Sequence, residues 1–243
     1  MPEGPSIKIL QEVLTPFTGK KVIAIHGNAV IDKKRFVNKK IIAFKTYGKH
    51  TLICFDDVTI RIHLLMFGTY LINETKSTPL KLGLTFAKGE VNFYTCSVKI
   101  LEGDINDHYD WSTDIMNDTW NPKQAQAKLK EMPKALICDA LLDQDIFAGL
   151  GNIIKNEVLY RVKVQPESVV GKIPAAKIKS LVEEASKYSF EFLKWKKENT
   201  LTKHWLAHEK KICKRCDLPL EKKQTGKNKR RSYFCTNCQE LYK

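Results

Sequence analysis

The sequence predicts an α+β protein in which a leading helix and a run of short antiparallel strands are followed by a helical region and a four-cysteine ribbon. Three observations support this class. Short β-forming runs fill residues 1–116, apolar residues recur with helical spacing over 122–208, and two Cys-x-x-Cys pairs lie within the last 31 of the 243 residues. We therefore predict three domains, at 1–116, 122–208 and 209–243.

The first domain begins with an amphipathic helix, because apolar residues from Ile7 to Phe17 fall on one helical face. The strands after it are close together and are separated by turns such as Asp56-Asp57 and Lys88-Gly89. This pattern is typical of an antiparallel sandwich or barrel. The predicted strands are 21–25, 40–45, 51–55, 58–63, 69–72, 82–87 and 91–94.

Residues 109–122 are mostly polar and end in Asn121-Pro122, so we predict a linker there. Beyond it, helical patterns at 135–142 and 152–160 flank a glycine-bearing turn at 147–151. Two helices joined in this way form a helix-turn-helix, here with a long turn. A longer amphipathic helix is predicted to follow, from Ile178 to Phe192.

The ribbon predicts a structural zinc site. Cys213 and Cys216 are separated from Cys235 and Cys238 by eighteen residues, a spacing that lets four thiolates surround one zinc ion with a hairpin between the pairs. The hairpin carries many cations and almost no acid, which is typical of a surface that contacts phosphate. Its cations are Lys222, Lys223, Lys227, Lys229, Arg230 and Arg231.

The overall charge also indicates an anionic partner. The formal net charge is +14, which favours nucleic acid, although a ribosomal or membrane-surface partner would fit the charge alone. The chain starts without an apolar signal-peptide core and has no apolar stretch long enough for a bilayer, so we expect an intracellular protein with reduced or metal-bound thiols. We expect Cys54, Cys96 and Cys138 to be buried structural thiols.

If the initiator methionine is removed, Pro2 presents a free secondary amine. An α-amino group has a pKa of about 8, against about 10.4 for lysine, so about a tenth of it is neutral and nucleophilic near pH 7. A secondary amine forms a cationic iminium with an aldehyde, which eases elimination, and the adjacent Glu3 is placed to move protons. The plainer interpretation is that Pro-Glu-Gly-Pro only starts the helix at Ser6.

Three other positions have both a plain and a functional interpretation. Lys49 lies on a predicted hairpin turn, where it is either solvated or directed at a phosphate. Gly149-Leu150-Gly151-Asn152 is either a tight turn or a phosphate-binding helix start. The apolar run 64–67 after His63 is either core packing or a wedge that enters a base stack when a nucleotide is flipped out.

The order of these motifs along the whole chain resembles the formamidopyrimidine-DNA glycosylase/endonuclease VIII family. They are the Pro-Glu-Gly-Pro start, the Gly-Lys turn near residue 50, the His-x-x-x-x-Gly strand end, the Gly-x-Gly-Asn helix start and the four-cysteine ribbon. The resemblance implies a two-layer β-sandwich, a helix-two-turn-helix domain and a zinc finger. It also implies damaged double-stranded DNA as the partner, one structural Zn²⁺ per chain, no small-molecule cofactor, no membrane association and a monomer.

The resemblance also implies roles for individual residues. Pro2 would attack C1′ of a flipped nucleotide, and Glu3 would act as the acid for base release and ring opening. The resulting Schiff base would collapse by β- and then δ-elimination. Lys49, Asn152 and Arg230 would hold phosphates, and Lys49 and Arg230 would also assist elimination.

The choice of branch within this family depends on three observations. Leu65, Met66 and Phe67 fill the three consecutive wedge positions of the endonuclease VIII branch, residues 91–96 lack the arginine of the purine-directed branch, and no long Gly/Thr-rich segment precedes the finger. These features favour oxidised pyrimidines as substrates. Two positions depart from the pattern of the family. Ser6 replaces the family's second glutamate, and Leu65 replaces a polar residue at the first wedge position, which affects recognition of the base opposite the lesion.

Two other functions fit parts of the sequence. The main alternative is a non-catalytic zinc-ribbon protein that binds damaged or abasic DNA, for which Ser6 is the only hint and which retention of Met1 would favour. An RNA- or ribosome-associated ribbon protein fits the charge but leaves the N-terminal motif unexplained.

Overall fold

The computed structural model describes residues 2–243, and the chain divides into two compact units, Met1–Tyr109 and Asp110–Lys243. Within the described residues, no helix combines the length and the apolar character that crossing a membrane requires. The three-domain division, with a boundary near residue 208 inside the second unit, stays a prediction.

The first unit consists of one helix and two four-stranded antiparallel sheets, ordered β1-β6-β7-β5 and β2-β3-β4-β8. The two sheets share one apolar core, to which α1 contributes Ile7 and Leu10, β4 contributes Ile60 and β7 contributes Phe93. The predicted β-sandwich is therefore confirmed. The elements are α1 Gly4–Leu14, β1 Ala24–His26, β2 Ala43–Tyr47, β3 His50–Cys54, β4 Val58–His63, β5 Thr69–Ile72, β6 Leu80–Thr85, β7 Glu90–Tyr94 and β8 Ser97–Glu102.

Strands β4 and β5 have the predicted bounds, but β8 was not predicted. It forms the edge of its sheet by pairing with β4 along the whole of that strand. The chain passes from β7 to β8, which lies in the other sheet, through Thr95, which has a φ of 50°. This left-handed conformation is rare for a β-branched residue, and the connection contains neither glycine nor proline, which are the usual turn signals. The sequence therefore gives no local sign that a new strand begins after Thr95.

The second unit is built from helices and one hairpin. Helix α2 begins at Pro122, where the helical pattern was predicted to begin, and the Asn121 side chain caps it by accepting hydrogen bonds from two backbone N–H groups. The elements are α2 Pro122–Lys130, α3 Ile137–Ala140, α4 Asn152–Val162, α5 Ala175–Lys197, β9 Glu221–Thr225 and β10 Arg230–Phe234.

Two predictions in this unit are wrong. The helix predicted at 135–142 shortens to α3, because the completely buried Leu141 lies in the turn that follows the helix rather than within it. Residues 109–122 are not a free linker either. Ile115 and Met116 belong to the core of the second unit, and the Ile115 N–H donates to the carbonyl of Ala148.

The cysteine ribbon packs on the helical part of the same unit. Strands β9 and β10 form an antiparallel hairpin, and β10 lies against α4. Tyr160 of α4 and Tyr233 of β10 share a small apolar cluster with Cys213 and Cys235. The cluster ties the ribbon to the helix that begins at Asn152.

Candidate active site and metal centre

Glu3 immediately precedes helix α1. Its backbone carbonyl accepts hydrogen bonds from the N–H groups of Ser6, at 2.8 Å, and Ile7, at 3.3 Å. The residue is only 1% exposed, and Pro2 beside it is half-buried. The helix begins at Gly4 rather than at Ser6, so Pro2 and Glu3 lie just outside it.

Lys49 lies on the two-residue turn between β2 and β3, where Tyr47 pairs with His50. The preceding Gly48 has a φ of 53°, the left-handed conformation that such hairpin turns require and that glycine adopts without strain. The tight turn fixes the backbone of Lys49, which is half-buried at the end of its sheet.

Two histidines beside this turn are neutral at physiological pH. Burial lowers the pKa of His50 to about 3, assisted by the positive charges of Arg61 and Lys49. Burial also lowers the pKa of His63, together with the charges of Lys49 and Arg61. The two rings meet edge to face with centroids 5.4 Å apart. The positive charge near the turn is therefore carried by Lys49 and Arg61, and the imidazoles add hydrogen-bonding groups without charge.

The apolar run after β4 divides between core and surface. Leu64 is buried in the core of the first unit, but Leu65, Met66 and Phe67 are 44%, 48% and 77% exposed. Gly68 closes this turn, because a Cβ atom there would lie 1.8 Å from the Leu64 carbonyl oxygen. Core packing is therefore the wrong interpretation for three of the four residues, which form an exposed apolar loop, here called the 65–67 loop.

In the second unit, Asn152 is the first residue of α4, directly after the N-cap residue Gly151. Gly149 has a φ of 98°, so the segment is both a tight turn and a helix start. One side-chain N–H of Asn152 donates to the backbone carbonyl of Arg231, at 3.0 Å. The amide has a second N–H, and the N-terminal end of a helix dipole is positive, so this end of α4 favours an anion.

Arg230 begins β10, opposite Thr225 on β9. The bond from Asn152 to Arg231 therefore brings two of the predicted phosphate-binding residues to adjacent positions of the second unit. Asp139 of α3 fixes the tip of the same hairpin, because each of its carboxylate oxygens lies 3.0 Å from the backbone nitrogen of Lys227.

The four cysteines form a cluster that can hold one metal ion. The sulfur atoms of Cys213, Cys216, Cys235 and Cys238 all lie within 4.8 Å of one another, and those of Cys213 and Cys238 are 3.7 Å apart. A tetrahedron with Zn–S bonds of about 2.3 Å has edges of about 3.8 Å. The donor set and its spacing therefore fit a tetrahedral metal with sulfur ligands.

Side chains around the cluster donate to its sulfur atoms. Nε and Nη2 of Arg215 lie 3.2 Å and 3.0 Å from Cys238 Sγ, and the Asn237 amide lies 3.2 Å from Cys216 Sγ. The Arg215 guanidinium also stacks on the Tyr160 ring, 3.7 Å from its centroid. Four thiolates exceed the charge of one divalent metal by two, and these donors offset that excess. Sequence reasoning did not identify these residues, although Arg215 lies inside the first Cys-x-x-Cys pair.

Two domain models of one family match the chain. The formamidopyrimidine-DNA glycosylase N-terminal domain matches residues 1–98, and the formamidopyrimidine-DNA glycosylase H2TH domain matches residues 112–203. Together they account for well over half of the chain. The chain belongs to the formamidopyrimidine-DNA glycosylase/endonuclease VIII family, and the α+β architecture predicted for it is confirmed.

Individual relatives come from both named groups of this family. Endonuclease 8-like 3 of Bos taurus is 28% identical over 206 residues, which cover 81% of this chain and 34% of that protein. Formamidopyrimidine-DNA glycosylase of Lactobacillus gasseri is 29% identical over 283 aligned positions, which cover both chains completely. This chain thus spans about a third of the length of the first relative and the whole length of the second.

Solved structures agree with this fold. Lactococcus lactis Fpg in complex with a THF-DNA and an inhibitor gives a TM-score of 0.87 at 23% identity, covering 98% of this chain and 100% of that chain. The same Fpg in complex with a DNA containing an oxidised pyrimidine gives 0.87 at 22% identity, with the same coverage. Identities this low establish a shared fold.

Proposed function

We propose that this protein is a bifunctional DNA glycosylase and AP lyase that removes oxidised bases, with a preference for pyrimidines, in base excision repair. The proposal is carried by one observation, the Pro2-Glu3 pair at the start of α1, in which Glu3 is nearly completely buried. A buried carboxyl group next to a chain-terminal amine provides a nucleophile and a proton donor in adjacent positions.

The proposed reaction starts after Met1 has been removed. The Pro2 nitrogen bonds to C1′ of the flipped nucleotide while the bond from C1′ to the base breaks. Glu3 gives its proton to the departing base and regains one from the Pro2 nitrogen. It then passes that proton to the ring oxygen O4′, so the bond from C1′ to O4′ breaks and an iminium remains between Pro2 and C1′. Loss of a C2′ proton then expels the 3′ phosphate, and δ-elimination expels the 5′ phosphate, so the gap has a phosphate on each side.

Phosphate binding is assigned to cations and N–H groups in both units. We assign it to Lys49, which is fixed on its hairpin turn, to Asn152 at the start of α4 and to Arg230 on β10. An arginine fork matches two phosphate oxygens at once. We further propose that the protein acts as a monomer on damaged double-stranded DNA, without a small-molecule cofactor.

The proposed metal is a single structural zinc ion held by the four cysteine thiolates. Sulfur donors, tetrahedral spacing and N–H groups directed at the sulfur atoms support zinc over magnesium or calcium, which prefer oxygen. When bound, the ion would hold the two Cys-x-x-Cys pairs together and so fix the base of the hairpin that carries Arg230.

The preference for pyrimidines depends on the 65–67 loop and on β7. The three exposed apolar side chains of the loop fit consecutive wedge positions, and the segment 91–96 contains no arginine.

Borohydride reduction of the iminium tests the catalytic proposal. We expect the Met-processed protein to be trapped covalently on duplexes that contain an abasic site or thymine glycol, and we expect little adduct on an undamaged duplex. Mass spectrometry of the tryptic adduct should locate the DNA on Pro2. Lesion binding without any adduct would instead indicate the non-catalytic DNA-binding alternative.

The Phe67→Ala variant tests the 65–67 loop. Its side chain is 77% exposed, so we expect the melting temperature to stay close to that of the wild type. Because base stacking on an aromatic ring contributes about 1–3 kcal/mol, we expect single-turnover base release from duplex DNA to fall by about tenfold or more. Release from an unpaired lesion should fall less, and equal losses on both substrates would contradict a wedge.

Leu64→Ala serves as the matched control for this loop. Leu64 is buried in the core, so its truncation should lower the free energy of unfolding by about 2–5 kcal/mol. The activity of the protein that remains folded should change much less than in Phe67→Ala.

A further inference from the structure

Lys155 of α4 is completely buried, which is uncommon for lysine because its ammonium group loses water. The buried ammonium contacts strand β10. Lys155 Nζ lies 2.8 Å from Ser232 Oγ and 3.4 Å from the backbone carbonyl oxygen of Arg231. Helix α4, which begins at the candidate phosphate-binding residue Asn152, therefore also places the buried ammonium group of Lys155 against the hairpin that carries Arg230.

The contacts continue beyond Ser232 as a chain of hydroxyl groups. Ser232 Oγ lies 2.6 Å from Thr225 Oγ1, and Thr225 Oγ1 lies 3.4 Å from the backbone carbonyl oxygen of Arg230. Ser232 and Thr225 are 1% and 3% exposed. Water therefore has little access to these hydroxyl groups, and they must find partners inside the protein.

The ammonium group sets the direction of this chain. An ammonium can only donate hydrogen bonds, so Ser232 Oγ accepts one from Lys155 and donates one to Thr225 Oγ1. Thr225 Oγ1 then donates a hydrogen bond to the backbone carbonyl oxygen of Arg230. We call these three side chains, Lys155, Ser232 and Thr225, the relay.

We propose that Lys155 is a positioning residue, which fixes the backbone of Arg230 and Arg231 through the relay so that the Arg230 side chain meets the lesion phosphate in one orientation. This inference rests on the phosphate-binding role proposed above for Arg230. Lys155 itself does not touch the substrate in this scheme.

Two asparagines on the same face of α4 support the inference. The Arg231 carbonyl accepts hydrogen bonds from Asn152, at 3.0 Å, and from Asn156, at 3.3 Å, in addition to the contact with Lys155. Asn156 Oδ1 also accepts from the Tyr233 N–H, at 3.4 Å. Side chains from the first two turns of α4 thus converge on one peptide group beside Arg230, where small displacements matter most to a bidentate phosphate contact.

Thr225 provides the sharpest test, because two substitutions of similar size differ in the hydroxyl group. Thr225→Val keeps the shape but ends the relay, whereas Thr225→Ser keeps the hydroxyl. We expect Thr225→Val and Lys155→Met to slow δ-elimination and to weaken binding to abasic duplex by about tenfold each. Thr225→Ser should stay within about twofold of the wild type, as should Lys179→Met, which removes an exposed lysine from α5.

Metal content and a double variant separate positioning from a general structural role. All of these variants should retain the same amount of metal. In an Arg230→Ala background, Lys155→Met should cause no further loss, because residues that act through one group are not additive. Independent, additive losses or loss of metal from Thr225→Val would overturn the inference.

The two proposals fail in different ways. If Arg230→Ala weakens binding and δ-elimination but Thr225→Val matches the wild type, the relay is wrong and the role of Arg230 stands. If Arg230→Ala itself has no effect, the phosphate role of Arg230 is wrong, and the inference about Lys155 falls with it.

Discussion

Replacing Pro2 with glycine is expected to slow base excision by about 10³-fold or more, since it changes the nucleophile of a covalent mechanism. Glycine retains a terminal amine but loses the secondary amine that forms a fixed iminium. Lesion binding should change by less than about threefold, because the phosphate contacts assigned to Lys49, Asn152 and Arg230 remain. Single-turnover excision and equilibrium binding on the same thymine-glycol duplex measure the two effects separately.

Pro5→Ala is the matched control for this variant. Pro5 lies in the first turn of α1 and is buried, so its replacement removes a proline from the same segment without altering the chain terminus. It should keep excision close to the wild-type rate with a small loss of thermal stability. If Pro2→Gly lost lesion binding as much as excision, or if protein that retained Met1 were fully active, Pro2 would be structural and the catalytic proposal would be wrong.

Replacing Cys235 with serine is expected to release the metal and to unfold the ribbon locally. Structural zinc contributes about 10–16 kcal/mol of apparent binding energy in small fingers, and removing one of four thiolates forfeits much of it. Because the hairpin carries Arg230 and four exposed lysines, Lys222, Lys223, Lys227 and Lys229, the affinity for lesion duplex should fall by about 10²-fold or more and become less dependent on salt. Metal analysis and binding titrations at two salt concentrations provide the measurements.

Cys96→Ala is the matched control, because Cys96 is a buried thiol of the first unit and lies outside the four-cysteine cluster. It should retain one metal ion per chain and its salt-dependent DNA binding. A Cys235→Ser variant that kept a full complement of metal would contradict the proposed ligand set. A variant that lost the metal but kept full DNA affinity would show that the ribbon does not form the interface.

The elements that were predicted accurately have local signals. Apolar and polar residues alternate along strand β4 after the Asp56-Asp57 turn, and burial alternates from Ile60 to His63, so the period of two is visible without any knowledge of its neighbours. Helix α4 begins directly after Gly149 and Gly151, and α2 begins at Pro122 after the capping residue Asn121. The thiols of Cys54, Cys96 and Cys138, expected to be buried, are buried.

The elements that were mispredicted depend on distant partners. The Ile115 side chain is completely buried against the helical core, although the residues around it are polar enough to suggest a linker. Strand β8 gains its hydrogen bonds from β4, about forty positions earlier along the chain. Some of the apolar residues at 135–142 are buried although they lie in a turn and not in a helix. A repeat of 3.6 residues in the sequence cannot distinguish these two cases.

The sequence by itself determined the family, the four-cysteine cluster and the candidate nucleophile, because each depends on residue types at fixed spacing. Only the tertiary structure decided which apolar residues after β4 reach solvent and which side chains of α4 contact the backbone carbonyl of Arg231. Burial and hydrogen bonding are properties of neighbours in space, and Lys155 is 77 positions from Ser232 along the chain. That contact exists only because β10 packs against α4.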